Sequence, residues 1–315
     1  MKVITHEDIL GLGISPLQCY EWVDAAICKK KDTRTILPPK ISMKSIEGSF
    51  VNVMPSVVDN VAGVKVVTRF PNREPSLDSH LLLFDSLTGE TLALMSADFI
   101  TTMRTGAVAA HSIKLLAKKD FRVVAFMGLG CVVYATMMVL LALYPERKMH
   151  IKVLRYKDQH RKFIERFKRY ENLTFEEVDT PNELARDADV VVSGATYLPN
   201  DVCDDAAFSK GVLVVPIHTQ GFKNCDLFFD KVFGDDYGHI KGFKYFSQFK
   251  SFAEVSDVLA NIAKGRENDE ERIIVYNIGI ALHDIYFAKH IYDALKDKIA
   301  LSAIDLKPPK EKMWL

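Results

Sequence analysis

The chain lacks a metal-binding cysteine pattern. Its five cysteines (Cys19, Cys28, Cys131, Cys203, Cys225) are odd in number and scattered, with no CxxC pair and no histidine at ligand spacing, which argues against structural zinc. It also lacks an excess of charge of either sign. Lys+Arg and Asp+Glu each count 41, so no global field draws it to nucleic acid or to an acidic membrane. No apolar run reaches the roughly 18–20 residues of a spanning helix. The longest candidate, Cys131 to Leu143, follows a glycine turn and reads as a buried helix. The opening residues MKVITHEDI contain no apolar signal core, so the expected location is cytoplasmic. Repeats and low-complexity linkers are absent too.

What is present is 315 residues with 48% hydrophobic content, enough for two domains with cores of their own. The middle of the chain alternates strand and helix. Strands read at 121–127, 150–155, 174–179, 189–194, 211–217 and 231–235, and helices at 131–144, 158–170, 181–187, about 200–208 and 251–264. Six strands with crossover helices predict an α/β fold with a Rossmann-type doubly wound parallel sheet. The first 116 residues differ. Strands at 51–55, 61–70, 80–85 and 91–96 suggest an antiparallel or mixed sheet, with Ser86-Leu87-Thr88-Gly89 as a hairpin-type turn. Asp98 is placed to cap a helix running from about Phe99 to Leu116. An amphipathic helix from Pro16 to Cys28 ends at Lys29-Lys30-Lys31, which reads as a solvated helix end. Residues 274–295 read as one long helix, apolar all round, leading back to the first domain. The expected division is a discontinuous α+β substrate-binding and dimerisation domain (1–116, 275–315) around a dinucleotide-binding domain (117–274).

The sharpest local signal is FRVVAFMGLG at 121–130, a β-like run ending on Gly128-Leu129-Gly130 and entering a helix closed by Pro145. The first glycine permits a tight turn, and the second lets backbone approach a pyrophosphate at the helix N-terminus. The third small residue of such a motif falls at 133 and is Val133. That departure weakens the motif: the unit is either a cofactor site or a strand–turn–helix that keeps the shape but binds no nucleotide, with Val132-Val133-Tyr134 crowding the pyrophosphate. Cys131, at the helix entrance, is either a small N-terminal residue or a thiol of lowered pKa. Candidate cofactor contacts are Gly128, Gly130, Cys131 and Val132, joined by Thr105, Ala195 and Thr196.

Three cations stand in special contexts. Lys40 follows Pro38-Pro39; Lys65 lies inside the apolar run VAGVKVVTRF; Arg104 lies one turn into an alanine-rich helix, in TTMRTGAVAA. A lysine in mid-strand is costly to bury unless paired, so Lys65 either points to solvent or faces a polar cavity. Arg104 is either a surface charge or an anion ligand. Asp235-Asp236, at the end of the sixth strand, and Asp284, on the long helix, read equally as site acids or as a cap and a satisfied interdomain group.

The blocks Val64-Lys65-Val66-Val67, Asp85-Ser86-Leu87-Thr88-Gly89 with Leu92-Ala93, Arg104-Thr105-Gly106-Ala107 and Gly128-Leu129-Gly130 resemble, in order and spacing, the ornithine cyclodeaminase/mu-crystallin family. Downstream, Ala253-Glu254-Val255 through Lys264-Gly265-Arg266, and Tyr276-Asn277-Ile278-Gly279-Ile280-Ala281 with Asp284, resemble its C-terminal blocks. The resemblance implies a homodimeric, two-domain protein that binds NAD(H) or NADP(H) and acts at the α-carbon of amino acids, imines or keto acids. It implies that Lys65 and Arg104 bind the substrate carboxylate, with Lys65 also a proton donor. Lys40 stands where the family usually has arginine, and offers a point charge without the bidentate fork.

Two departures restrict the activity. Ornithine-cyclising members carry an aspartate just after the fifth strand, where this chain reads Pro216-Ile217-His218-Thr219-Gln220-Gly221. His218 is either an acid/base in its place or a strand-end side chain. The expected activity is therefore ketimine reduction or amino-acid dehydrogenation. The alternatives are an ornithine cyclodeaminase-like lyase, an amino-acid-condensing synthase, or a non-catalytic binding protein. The second departure concerns the ribose. The second strand ends Leu154-Arg155-Tyr156-Lys157, without the acid that accepts a 2′-hydroxyl. Arg155 and Lys157 suit a 2′-phosphate and Tyr156 suits adenine, which favours NADP(H) over NAD(H).

Overall fold

The computed structural model describes residues 1–195, 198, 201–217, 222, 227–298 and 302–304. Its first part comprises β1 (Lys2–Ile4), α1 (His6–Leu10), α2 (Pro16–Cys28), β2 (Ile41–Met43), β3 (Phe50–Val58), β4 (Val61–Arg69), β5 (Leu77–Asp85), β6 (Thr91–Ser96) and α3 (Asp98–Leu116). The strands form one sheet in the order β1-β6-β5-β4-β3-β2, antiparallel from β2 to β6, with β1 parallel to β6. Period-two burial explains why β4 is a strand. Val61, Gly63, Lys65 and Val67 face inward, while Ala62, Val64, Val66 and Thr68 stay partly exposed. The β5–β6 turn forms where predicted. Asp85 Oδ1 accepts the Leu87 and Thr88 N–H groups, and Gly89 takes φ +74°. Asp98 does not cap α3. It is the first helical residue, and its carboxylate accepts from Ser79 Oγ instead.

The second part comprises β7 (Val123–Met127), α4 (Cys131–Leu143), β8 (Met149–Leu154), α5 (Gln159–Phe167), β9 (Leu173–Val178), α6 (Pro181–Ala185), β10 (Val190–Ser193), β11 (Leu213–Pro216), β12 (Lys231–Gly234), α7 (Tyr237–Ile240), β13 (Phe252–Glu254), α8 (Val255–Leu259), β14 (Ile273–Tyr276) and α9 (Ala281–Leu295). Eight strands lie in the order β13-β12-β14-β11-β10-β7-β8-β9, and every pair is parallel. The chain leaves β7 toward β8 and β9, then returns to β10 on the other side, so the strand order reverses between β7 and β10. Both faces are covered: along β7, Val124 and Phe126 join one core and Ala125 and Met127 the other.

Three expectations fail here. The 274–295 segment is not one helix, because Ile273–Tyr276 pairs in the sheet and Gly279 (φ +87°) turns the chain before α9 starts. The return to the first sheet therefore begins after Tyr276, not at 275. The 251–264 helix is an edge strand followed by the short α8, and near 200–208 the described residues form only a 3-10 turn at Asp205–Ala207. The return itself is tight. A Cβ on Gly63 of β4 would lie 2.5 Å from Ile285 Cδ1 of α9. Likewise a Cβ on Gly106 of α3 would meet Ala135 Cβ of α4 at 2.5 Å. Among the described residues no helix is long and apolar enough to cross a membrane.

Candidate active site

Three elements send one charged side chain each to a common point: β4 gives Lys65, α3 gives Arg104, and α9 gives Asp284. Lys65 lies on the inward face of its strand and has no solvent exposure. Its Nζ donates to Asp284 Oδ1 at 2.7 Å and to Thr101 Oγ1 at 3.2 Å. Arg104 Nε donates to the same Oδ1 at 2.8 Å. An ammonium has three N–H donors and a guanidinium five, so Lys65 keeps one donor and Arg104 its terminal nitrogens, none bonded to a described residue. Arg104 lies over the 278–279 turn, where a Cβ on Gly279 would be 2.7 Å from its Nη1. The Gly279 N–H donates to Asp235 Oδ2 at 2.6 Å. Lys40 reaches the same turn, donating from Nζ to the Ile278 carbonyl at 3.2 Å, while its backbone N–H donates to His239 Nε2. Lys40, Lys65 and Arg104 thus gather at the C-terminal edge of the parallel sheet, just past β14.

Burial of so much like charge has a predictable result. Desolvation pulls the Lys65 ammonium down to about 7, helped by Arg104 and opposed by Asp284. Lys40 falls to about 8, again by burial first, with Asp235 opposing.

The glycine turn lies at the strand-order reversal. Gly128 has φ +68°, and a Cβ there would sit 2.3 Å from the Ala195 backbone N beyond β10. Only glycine lets these two loops cross. Gly130 occupies the N-cap of α4, its carbonyl accepting from the Val133 and Tyr134 N–H groups. The N–H groups of Cys131 and Val132, in the first turn, have no intrahelical acceptor and are open to an anion. Val133 packs inward. It is fully buried, and a Cβ on Gly194 would lie 2.6 Å from its Cγ2. The small residue that the motif places on the helix is supplied here by Gly194 after the facing strand. Cys131 is exposed and lines an open cleft of about 890 Å³ together with Tyr134, Met138, Arg161 and Arg166. Thr105, one residue past Arg104, donates its hydroxyl to the Thr101 carbonyl.

At the end of β8, Arg155 is ion-paired with Glu177 (3.1 Å) and Asp179 (3.0 Å). Lys157 takes φ +48°, with its Nζ 5.4 Å from the centre of the exposed Tyr156 ring. Thr196 and His218 lie outside the described residues. The lysine run after α2 is not a solvated end. Lys30 is nearly buried, pairing with Asp236 and Glu254 and donating to the Asp235 carbonyl, while Lys29 and Lys31 pair with Asp59 and Asp257. The sequence marks Gly279 only as part of the Tyr276–Ala281 block and leaves the partners of Asp284 open. Their one visible signal was the Asn277-Ile278-Gly279 stretch after a β-branched run.

A doubly wound sheet with a glycine turn at its order reversal, joined to a buried cation cluster, defines a two-part Rossmann-type α/β protein. Residues 2–299 match the model of the ornithine cyclodeaminase/mu-crystallin family, and the chain belongs to that family. It is 28% identical over 280 residues to the nodulation efficiency protein NfeD of Rhizobium meliloti, covering 85% of this chain and 86% of that protein. It is 25% identical to the Δ(1)-pyrroline-2-carboxylate reductase of Bacillus cereus, covering 93% and 96% respectively. Among solved structures, an archaeal alanine dehydrogenase dimer with bound NAD superposes with a TM-score of 0.85 at 23% identity, over 98% of this chain and 99% of that one.

Proposed function

We propose that this protein is an NAD(P)(H)-dependent oxidoreductase that transfers hydride at the α-carbon of an imino or amino acid, as an imine reductase or amino-acid dehydrogenase. The observation that carries the reading is the meeting of Lys65 and Arg104 on one Asp284 oxygen with donors to spare. Such a pair holds a carboxylate: Arg104 through its terminal nitrogens, Lys65 through its remaining N–H, Lys40 as a further point charge. The crossing at Gly128 and the open N–H groups of Cys131 and Val132 fit a dinucleotide pyrophosphate, with Gly130, Ala195 and Thr105 as the other candidate contacts among the described residues. A reduced nicotinamide held there would supply the hydride. The clamp holds C2 of the acid toward it, and orientation of this kind contributes on the order of 7–11 kcal/mol at its best. Lys65, titrating near neutrality, gives the proton of that one spare N–H to the developing amine, turning it from the adjacent carboxylate oxygen to the nitrogen as the hydride arrives. His218, two residues past β11, is the second candidate donor. The named activities of the Bacillus cereus relative and of the archaeal dehydrogenase support this reaction class. The test is loss of reduced-nicotinamide absorbance with Δ1-pyrroline-2-carboxylate, or with pyruvate plus ammonia. Turnover with either supports the reading; nucleotide binding without turnover of any imino or keto acid opposes it.

The cofactor reading extends to NADP(H). No acid ends β8, and Arg155 and Lys157, just past its last residue, are the groups that would meet the ribose. Arg155 must exchange Glu177 or Asp179 for a 2′-phosphate, so its contribution is one charge-assisted contact. Fluorescence titration should show NADPH bound about tenfold or more tighter than NADH, and Arg155→Ala should erase the difference. Tighter NADH binding contradicts the assignment.

In this reading residues 1–116 and the return through α9 form a substrate-binding and dimerisation domain. The sheet face opposite α9 supports this. Val53, Val64, Val66, Leu82, Phe84 and Leu94 lie on adjacent strands in register, all partly exposed. An apolar face of this kind fits a second copy of the chain. Light scattering should report a dimer, and Val64→Lys, a charge at the centre of the face, should give a monomer. A monomeric wild-type chain contradicts the dimer.

A further inference from the structure

Asp284 is one of the few fully buried acids, and neither a cap nor a surface pair accounts for it. It serves two elements at once: its Oδ1 accepts from Lys65 of β4 and from Arg104 of α3, while its Oδ2 has no hydrogen-bond partner among the described residues. A carboxylate placed only to neutralise charge would spread its two oxygens over the two cations. Concentrating both on one oxygen fixes the angle between them, and aims the third Lys65 N–H and the terminal Arg104 nitrogens as a set. We propose that Asp284 is the positioning residue of the carboxylate clamp, holding Lys65 and Arg104 on a single oxygen and keeping the transferable proton on Lys65.

The groups facing Lys65 agree with this. Arg104 from α3, Lys40 from the segment before β2 and burial itself all drive the proton off, while His283 of α9 is held neutral, well below its ordinary value, by burial and Arg104. Asp284 is the group that opposes them. The role rests on the proposed reaction only in giving the proton a destination.

The test follows Lys65 directly, by NMR of isotope-labelled lysine in the full chain, with its signal identified by its absence in Lys65→Met. The wild-type ammonium should titrate near 7. In Asp284→Asn the midpoint should fall by more than one pH unit. In the reducing direction a protonated Lys65 is required, so kcat/KM declines as pH rises through that midpoint. The variant's decline should move to lower pH by the same amount, with activity partly restored on acidification. An unchanged midpoint, or a loss equal at every pH, would overturn the proposal. Asp284→Glu keeps the charge but displaces it. Its Lys65 midpoint should stay close to wild type, while KM for Δ1-pyrroline-2-carboxylate, or affinity for L-proline, worsens about tenfold or more. Wild-type affinity in Asp284→Glu would equally overturn it. The NMR arm needs no turnover, so its failure is distinct from failure of the reductase reading, which the absorbance assay decides.

Discussion

Lys65→Met should abolish turnover and leave nucleotide binding intact. Loss of a positioned proton donor alone costs about 10²–10⁴-fold, and the same change removes one arm of the carboxylate clamp, so at least ~10³-fold is expected. The fold should survive. Methionine fills the volume of the lysine stem, and Asp284 keeps Arg104 as its partner, so no bare charge is left in the core. A charge stranded without a partner would cost about 3–5 kcal/mol. A second consequence follows from linkage. The Lys65 value is lowered from 10.5 to about 7 in the folded state, so between those values the unfolded chain binds more protons. Wild-type stability should then rise with pH across that window, and the cost of burying the charged form is fully present below it. Lys65→Met should flatten that rise. Denaturant midpoints of both proteins at neutral and alkaline pH check it; full activity in the variant would remove the clamp from the mechanism.

Gly128→Ala should abolish nucleotide binding for a different reason. At φ +68° an L-residue costs roughly 1–2 kcal/mol, and the added Cβ would also lie 2.3 Å from the Ala195 backbone N. A backbone atom cannot rotate away as a side chain does, so the β7 and β10 loops must separate where the pyrophosphate is expected to sit. An affinity loss of at least ~10²-fold for NADPH and NADH is expected, measured by fluorescence titration. Gly89→Ala is the control. Gly89 has φ +74° with nothing within 4 Å of the added Cβ, so it should show the dihedral cost and unaltered binding. Equal binding losses in the two variants would contradict the close-approach argument.

Much of this arrangement was legible in the sequence because it is local. α2 runs from Pro16 to Cys28 as expected, with Ser15 accepting the Gln18 N–H and Pro16 at the first helical position. The β7–turn–α4 unit follows from an apolar run striking two glycines. Period two along VAGVKVVTRF sets Lys65 on the face of Val61 and Val67, but leaves open whether that face meets solvent or a polar cavity. What failed depended on distant partners. Ile273–Tyr276 runs into an apolar helix and reads as part of it, until pairing with β12 and β11 is known. Ser251–Glu254 looks helical by pattern, yet Phe252 to Glu254 joins the sheet edge and Glu254 with Asp257 forms a capping box for α8. Lys30 reads as a solvated cation because its partners lie far along the chain, Asp236 at the start of α7 and Glu254 at the end of β13. Asp284 carried no local sign of its role, since its partners are 219 and 180 residues away. Val133 shows compensation of the same kind: the missing small residue reappears as Gly194, where no helix-only motif would look.

The most direct measurement is a crystal structure of the protein with a reduced nicotinamide dinucleotide and L-proline or L-alanine. The account predicts the amino-acid carboxylate on Lys65 Nζ and the Arg104 terminal nitrogens at about 2.7–2.9 Å, with the α-carbon facing the nicotinamide and the pyrophosphate over the first turn of α4. A carboxylate bound away from both cations, or a dinucleotide lying elsewhere than at the crossing of the Gly128 and Ala195 loops, would contradict it.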